Sequence, residues 1–386
     1  MPEFAAEPPV ADPAELGVDV AALVALRDRA RREIDEGLLP SCQFALARDG
    51  KLITEETLGD APADSRYVMF SCTKAVVGGL IWVLLGDGRL REDETVGELV
   101  PDLARSAVAP VTVAQLLTHT SGFPTAPLGP PAWLTRDGRI ARLSRWRLNW
   151  EPGTRFEYHP TAAHWMLAVI AEEIVGVDFR VQITERLLSP LGLERLRVGV
   201  DWDDAGDVRQ LVTVGEPPTP EEFEAAIGVA GIEVGEVTDD ALMSLSDPAN
   251  LAVGIPGGGG VTTAGDLALY YQGLLHNPGG LWDGDVLADA TGRIRTTLPD
   301  PLLGTPSNRS LGLIIAGDDG LAHMRGFGRT ASPATFGHNG AAGQIAWADP
   351  ATGLSFAYLT DGNDRHLLRQ ARRGVALSSR AAVCVS

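Results

Sequence analysis

The sequence predicts an α+β fold, in which an antiparallel sheet flanked by helices draws strands from both chain ends and a mostly helical subdomain lies between them. Three observations carry this expectation. Two strand-like runs meeting at a turn follow the first helical stretch, the long middle is chiefly helical, and four strand-like runs precede a closing helix. The chain has 386 residues, 45% hydrophobic and 22% charged, an ordinary globular composition long enough for a large core. Residues 17–85 and 255–386 are expected to form one discontinuous α/β subdomain and 86–254 the helical one, after a flexible tail at 1–16.

The tail is acidic and rich in Pro and Ala, with little to bury. Val18 to Glu36 places Val20, Leu23 and Leu26 at helical spacing before a charged stretch, so it reads as an amphipathic helix. Cys42–Ala47 and Lys51–Leu58 are strands joined at Asp49-Gly50, a hairpin signal. Ser71–Leu85 is a strongly apolar helix stopped by Gly86 and Gly88, which places it at the centre. Val113–Thr118 and Thr161–Val175 are further helices, ended by Ser121-Gly122 and by Gly176. The acidic stretch near 200–240, with Pro217, Pro218 and Pro220, reads as a surface insertion with a short helix near Glu221–Ala226. Gly257–Gly260 is a tight loop, and Thr263, three residues before Asp266, opens a helix through Leu275 in capping-box fashion. Strands are expected at Leu311–Ala316, Thr335–His338, Gln344–Ala348 and Leu354–Thr360, then a helix from Asp364 to about Ala382.

The net charge of −19 repels nucleic acid and anionic membrane surfaces, so neither is expected as a partner. No run reaches the roughly 18 apolar residues that span a bilayer. The N-terminus lacks the basic start and apolar stretch of a secretory signal. Cys42, Cys72 and Cys384 form neither a disulfide framework nor a metal spacing. A cytoplasmic protein without metal or cofactor is the expectation, and a homo-oligomer is left open.

Lys51 and Lys74 are the only lysines beside 30 arginines. Arg does not lose its proton and Lys can, so a retained Lys draws notice. Lys74 lies in Ser71-Cys72-Thr73-Lys74, where the two ends of the motif share a helix face about 5–6 Å apart. A serine hydroxyl needs a base before it attacks, and a Lys among Val76, Val77, Leu80 and Ile81 is disfavoured in its charged form. Tyr158, in Phe156-Glu157-Tyr158-His159-Pro160, stands before a helix and is suited to relay a proton to a leaving group. Gly337-His338-Asn339-Gly340-Ala341 sits in a strand pattern, where glycine marks close approach by a ligand or a bulge. The Ala341 and Ser71 amides together suit an oxyanion hole.

A Ser-x-x-Lys, a Tyr 87 residues after the Ser, and a His-x-Gly strand in the last fifth together resemble the β-lactamase/penicillin-binding superfamily. Val111–Gly122 and Pro256–Leu269 are similar to segments of its class C β-lactamase-like branch, and the resemblance covers roughly residues 20–365. It implies a β-lactamase/transpeptidase-like fold with the site in the cleft between subdomains. It also implies an acyl-enzyme on Ser71, proton transfers shared by Lys74 and Tyr158, and an oxyanion held by the Ser71 and Ala341 amides.

Two positions depart from the pattern. Pro160 replaces an Asn that normally contacts the active-site Lys and an amide-bearing substrate, and His338 replaces a Lys that favours carboxylate substrates. Both point toward the esterase members, with a small-molecule ester or amide as substrate. His338, Asn339, Gly340 and His159 are candidate substrate contacts, with tuning of Tyr158 or packing as the alternatives for the histidines. His119 reads as structural, Cys72 as a packing residue, and Trp133, Trp146 and Trp150 as either an acyl pocket or core. Acyl transfer, amide hydrolysis and a non-catalytic binding protein stay open on the same scaffold. The chain has no Gly-x-Ser-x-Gly elbow and no His-x-x-x-His pair, which speaks against an α/β-hydrolase and a zinc hydrolase.

Overall fold

The computed structural model describes residues 11–228, 230–231 and 237–385. Strands β1 (Ser41–Arg48) and β2 (Lys51–Gly59) form the expected hairpin. Asp49 and Gly50 both adopt positive φ, 52° and 73°, the conformation a two-residue turn between twisted strands requires. Strands β3 (Ile314–Ile315), β4 (Phe336–Gly337), β5 (Ile345–Asp349) and β6 (Leu354–Thr360) come from the other chain end. All six join one sheet in the order β2-β1-β6-β5-β4-β3, with every pairing antiparallel.

Period-two alternation sorts the two faces of this sheet. Phe44, Leu46, Trp347, Phe356 and Tyr358 pack with Leu26 of α1 (Val20–Asp35) and Leu377 of the last helix. Ala45, Ala47, Ala346, Ala348 and Ala357 face the opposite way, into the larger core. Small residues on that face let a helix lie close against it. The helix is Ala264–His276, and its Gln272 amide donates to Ala47 O, Gly353 O and Ser355 Oγ, tying it to β1 and β6. Beneath it lies α2 (Thr73–Gly86), apolar on all sides and buried from Thr73 through Leu84. Helix α3 (Val113–Leu117) packs on α4 (Ala162–Val175), which packs on α2, and the three form the layer that carries the site. Chain ends thus supply the sheet and the middle supplies helices, which is the predicted α+β architecture.

Several local expectations are corrected. Residues 1–10 of the predicted tail lie outside the described residues, but 11–16 are not loose. Ala11 N donates to Leu52 O, and Leu16 is buried with its carbonyl on Arg48. Asp364 does not begin the last helix, which runs Leu367–Ala381. Asp364 instead ends a short strand, Gly362–Asp364, and takes bidentate contacts from Arg369 and a further one from the buried Arg373. Leu311–Ala316 shortens to β3 because Ser310–Leu313 closes into a tight turn.

Thr263 caps its helix through Asp266 N, but Asp266 completes no box. Its carboxylate accepts from the Arg195 and Leu196 amides. The 200–240 stretch holds the expected helix, at Pro220–Ile227, yet it is more than a surface excursion. Val212–Val214 pairs in parallel with Gly362–Asp364, while Val208 and Leu211 are buried. Residues 229 and 232–236 of that stretch lie outside the described residues. Among the described residues, no helix is long and apolar enough to cross a membrane.

Candidate active site

Ser71 does not open the α-helix directly. It lies in a single 3₁₀ turn, Phe70–Cys72, whose end leads into α2 at Thr73. Phe70, buried and with φ of 44°, occupies the left-handed region that a bulky residue rarely adopts. Strain of this kind is held in place by its surroundings. Here the clamps are Met69 N donating to Gly260 O and Gly260 N donating to Thr73 Oγ1. The turn sets Ser71, half-buried, at the head of α2.

Lys74 follows one turn later and is wholly buried. Its Nζ lies 3.1 Å from Ser71 Oγ, 2.7 Å from Pro160 O and 2.6 Å from Gly257 O. Two carbonyls therefore take two N–H bonds. In the neutral amine, the third position is a lone pair facing the serine hydroxyl. Burial, and secondarily the charge of Arg309, hold Lys74 well below the ordinary lysine range. Pro160, read as a departure from the related pattern, meets the need of that pattern's Asn toward the Lys through its main-chain carbonyl.

Tyr158 donates its hydroxyl to Ser71 Oγ at 2.8 Å, and Lys74 Nζ stands 4.9 Å from its ring centre. Burial pushes the phenol up to about 12, against the lowering effects of the Ser71 bond and Arg309. Burial thus favours the neutral forms of both the Tyr158 phenol and the Lys74 amine, which sets a potential acid and a potential base on one oxygen.

The segment bearing Tyr158 is held by the loop after α3. His119, at φ 58°, accepts from Glu157 N through its carbonyl and from His159 N through Nδ1. His159 Nε2 accepts from Phe123 N and lies 2.9 Å from Ser121 Oγ, so its Nδ1–H donates to Glu157 O. With no exposed surface and both nitrogens engaged, His159 has nothing to offer a substrate. That expectation is corrected to a structural role. Burial lowers it to about 4, so the ring stays neutral.

The third motif sits at a strand end and not inside one. β4 stops at Gly337, His338 N donates to Ala346 O and Gly340 N to Gln344 O, and the chain then turns through Ala342 at φ 57°. A Cβ on Gly340 would stand 2.6 Å from Met69 O, so glycine here permits close approach to the backbone just before Ser71. The Ser71 and Ala341 amides donate to no other group among the described residues. Asn339 is occupied: its Oδ1 accepts from Ala346 N. His338, 2% exposed, donates from Nδ1 to Asn339 O and accepts at Nε2, and its ring lies 6.0 Å from that of Tyr158. The structure therefore places His338 behind Tyr158 with both nitrogens used. Trp146 is core, bonded to Pro127 O, while Trp133 leans on Trp165 and Trp150 lies under Arg155.

Sequence reasoning missed Arg309. Its guanidinium donates to His338 Nε2 at 3.2 Å and lies 5.3 Å from the Tyr158 ring centre and 5.5 Å from that of Phe156. One arginine among 30, far from every motif, carries no signal in the sequence. Among the described residues, no group of three or more His, Cys, Asp or Glu is arranged to hold a metal.

A family model described as Beta-lactamase matches residues 26–380. The esterase/beta-lactamase LipL of Mycobacterium tuberculosis (strain ATCC 25618 / H37Rv) is 27% identical over 317 residues, covering 76% of this chain and 69% of that protein. A penicillin-binding protein homolog from Caulobacter crescentus superposes with a TM-score of 0.74 at 25% identity, over 96% of this chain and 99% of that one. A family VIII carboxylesterase does so at 0.75 with 22% identity over the same shares, a likeness of fold.

Proposed function

The chain belongs to the beta-lactamase family, and from that premise we propose that it cleaves carboxylic esters through an acyl-enzyme on Ser71. One observation carries the reading: Ser71 Oγ lies between the Nζ of a fully buried Lys74 at 3.1 Å and the Tyr158 hydroxyl at 2.8 Å. Lys74 Nζ takes the hydroxyl proton as Oγ bonds to the ester carbonyl carbon. The Ser71 and Ala341 amides receive the oxyanion. Collapse breaks the carbon–oxygen bond to the alcohol, Tyr158 supplies its proton, and Lys74 restores the phenol. Water then attacks the acyl-enzyme with Lys74 and Tyr158 in the same roles, and Ser71 is regenerated.

Esters are favoured over amides and β-lactams by two features. Pro160 presents no side-chain amide to an amide-bearing substrate, and the Lys of the related strand motif is His338. The name of one protein of like fold, a family VIII carboxylesterase, supports esters, and that of the relative LipL, an esterase/beta-lactamase, includes ester cleavage. The test compares short-chain p-nitrophenyl esters, the matching anilides and a chromogenic β-lactam, with wild type and Ser71→Ala. Esters are expected to turn over fastest, with Ser71→Ala at background. Preference for the anilide or the β-lactam, or an undiminished Ser71→Ala, overturns the proposal.

A further inference from the structure

We propose that Arg309 is a positioning residue for this reaction: its permanent charge, clamped against Tyr158 and His338, keeps Lys74 in the neutral form that accepts the Ser71 proton. The inference rests on the ester-hydrolase reading and adds what sets the charge state of its base.

The clamp begins in the backbone. Arg309 N donates to Thr296 O and Arg309 O accepts from Arg295 N, so the residue sits at the closed base of a hairpin. Its side chain is 7% exposed and lies against the rings of Tyr158 and Phe156. His338 donates from Nδ1 to Asn339 O, which leaves Nε2 as a lone pair for Arg309 Nη1. No carboxylate pairs with this guanidinium among the described residues, and its buried Nε has no acceptor.

A buried cation without a counter-ion is costly, and a second one beside it more so. Lys74 and Arg309 both stand within 5.5 Å of the Tyr158 ring centre. Among the described residues, the groups that bear on Lys74 include no carboxylate. Its own turn brings Cys72, the Tyr158 segment brings Tyr158 and His159, and the loop after α3 brings His119. From α4 comes His164, and from the strand end His338, whose amide donates to the Tyr271 hydroxyl of the Ala264–His276 helix. Among the described residues, Asp300, on the Arg309 hairpin, is the carboxylate that bears on Arg309, and it forms no ion pair with it. Two cations thus share a water-poor site. Arg309 cannot discharge and Lys74 can, so Lys74 gives up its proton. Burial, first, and then Arg309 lower Lys74 and also His119 and His338.

The sign follows directly. A depressed lysine is a base above its own titration point, and activity falls as pH drops through that point. Removing the fixed charge raises the point, and the acid limb moves to higher pH. For two charges up to about 10 Å apart at an effective dielectric constant of about 20, the displacement is about one pH unit.

The experiment follows kcat and KM for a p-nitrophenyl ester, and the rate of Ser71 labelling by a fluorophosphonate, across pH. Wild type, Arg309→Met and Arg309→Gln are compared. Both variants are expected to shift the acid limb of both readouts upward by about one unit, with kcat reduced on that limb and KM little changed. Arg309→Gln keeps a donor for His338, and it carries the same charge prediction should Arg309→Met not fold. An unmoved limb in the variants overturns the proposal. So does a wild-type profile in Arg309→Gln, which would assign the role to the hydrogen bond. A raised KM with an unmoved limb makes Arg309 a substrate anchor and also overturns it. Wild type that labels at Ser71 without cleaving esters rejects the ester reading and leaves the labelling limb to decide on Arg309.

Discussion

Lys74→Arg is expected to lower kcat/KM for ester hydrolysis by about 10³- to 10⁴-fold, although it keeps the positive charge. Charge is not what Lys74 contributes. Its Nζ fits between Pro160 O and Gly257 O and offers a lone pair to Ser71 Oγ. A guanidinium holds its proton at any accessible pH, and its planar fork does not fit a site shaped for one nitrogen. The measurement is steady-state kinetics on a p-nitrophenyl ester, with circular dichroism to establish that the variant is folded. A folded Lys74→Arg retaining a tenth of wild-type kcat/KM would remove Lys74 as the base.

Tyr158→Phe is expected to cost about 10²-fold or more on alkyl esters, and distinctly less on p-nitrophenyl esters. The reason is the leaving group. An alkoxide leaves only with a proton, and Tyr158, pushed up to about 12 and 2.8 Å from Ser71 Oγ, holds one in the right place. p-Nitrophenolate leaves without help. Equal losses on the two ester classes would show that the phenol positions Ser71 and is not the acid.

Much of the fold was legible because it rests on local rules. The Asp49-Gly50 hairpin, the apolar α2 and the Gly176 stop of α4 each follow from the residues themselves. What escaped depends on contacts distant in sequence. Asp364 looks like a helix start until Arg369 and Arg373 reach back to it, and Asp266 looks like half of a capping box until Arg195 and Leu196 claim it.

The site divides in the same way. Ser71, Lys74 and Tyr158 were readable as an ordered set, and their atoms meet. His159 has the same chemistry as a substrate ligand, and only the Ser121, Phe123 and Glu157 contacts show that it holds the loop. Arg309 comes from a hairpin with no motif, and its importance lies in having no ion-paired acid among the described residues, which no spacing records.

The measurement that bears most directly on the central claim is the intact mass of the protein after acid quench during ester turnover, with peptide mapping of the adduct. The account predicts one added acyl group on Ser71, absent in Ser71→Ala. An acyl group on another residue, or turnover in Ser71→Ala with no adduct at all, would contradict it.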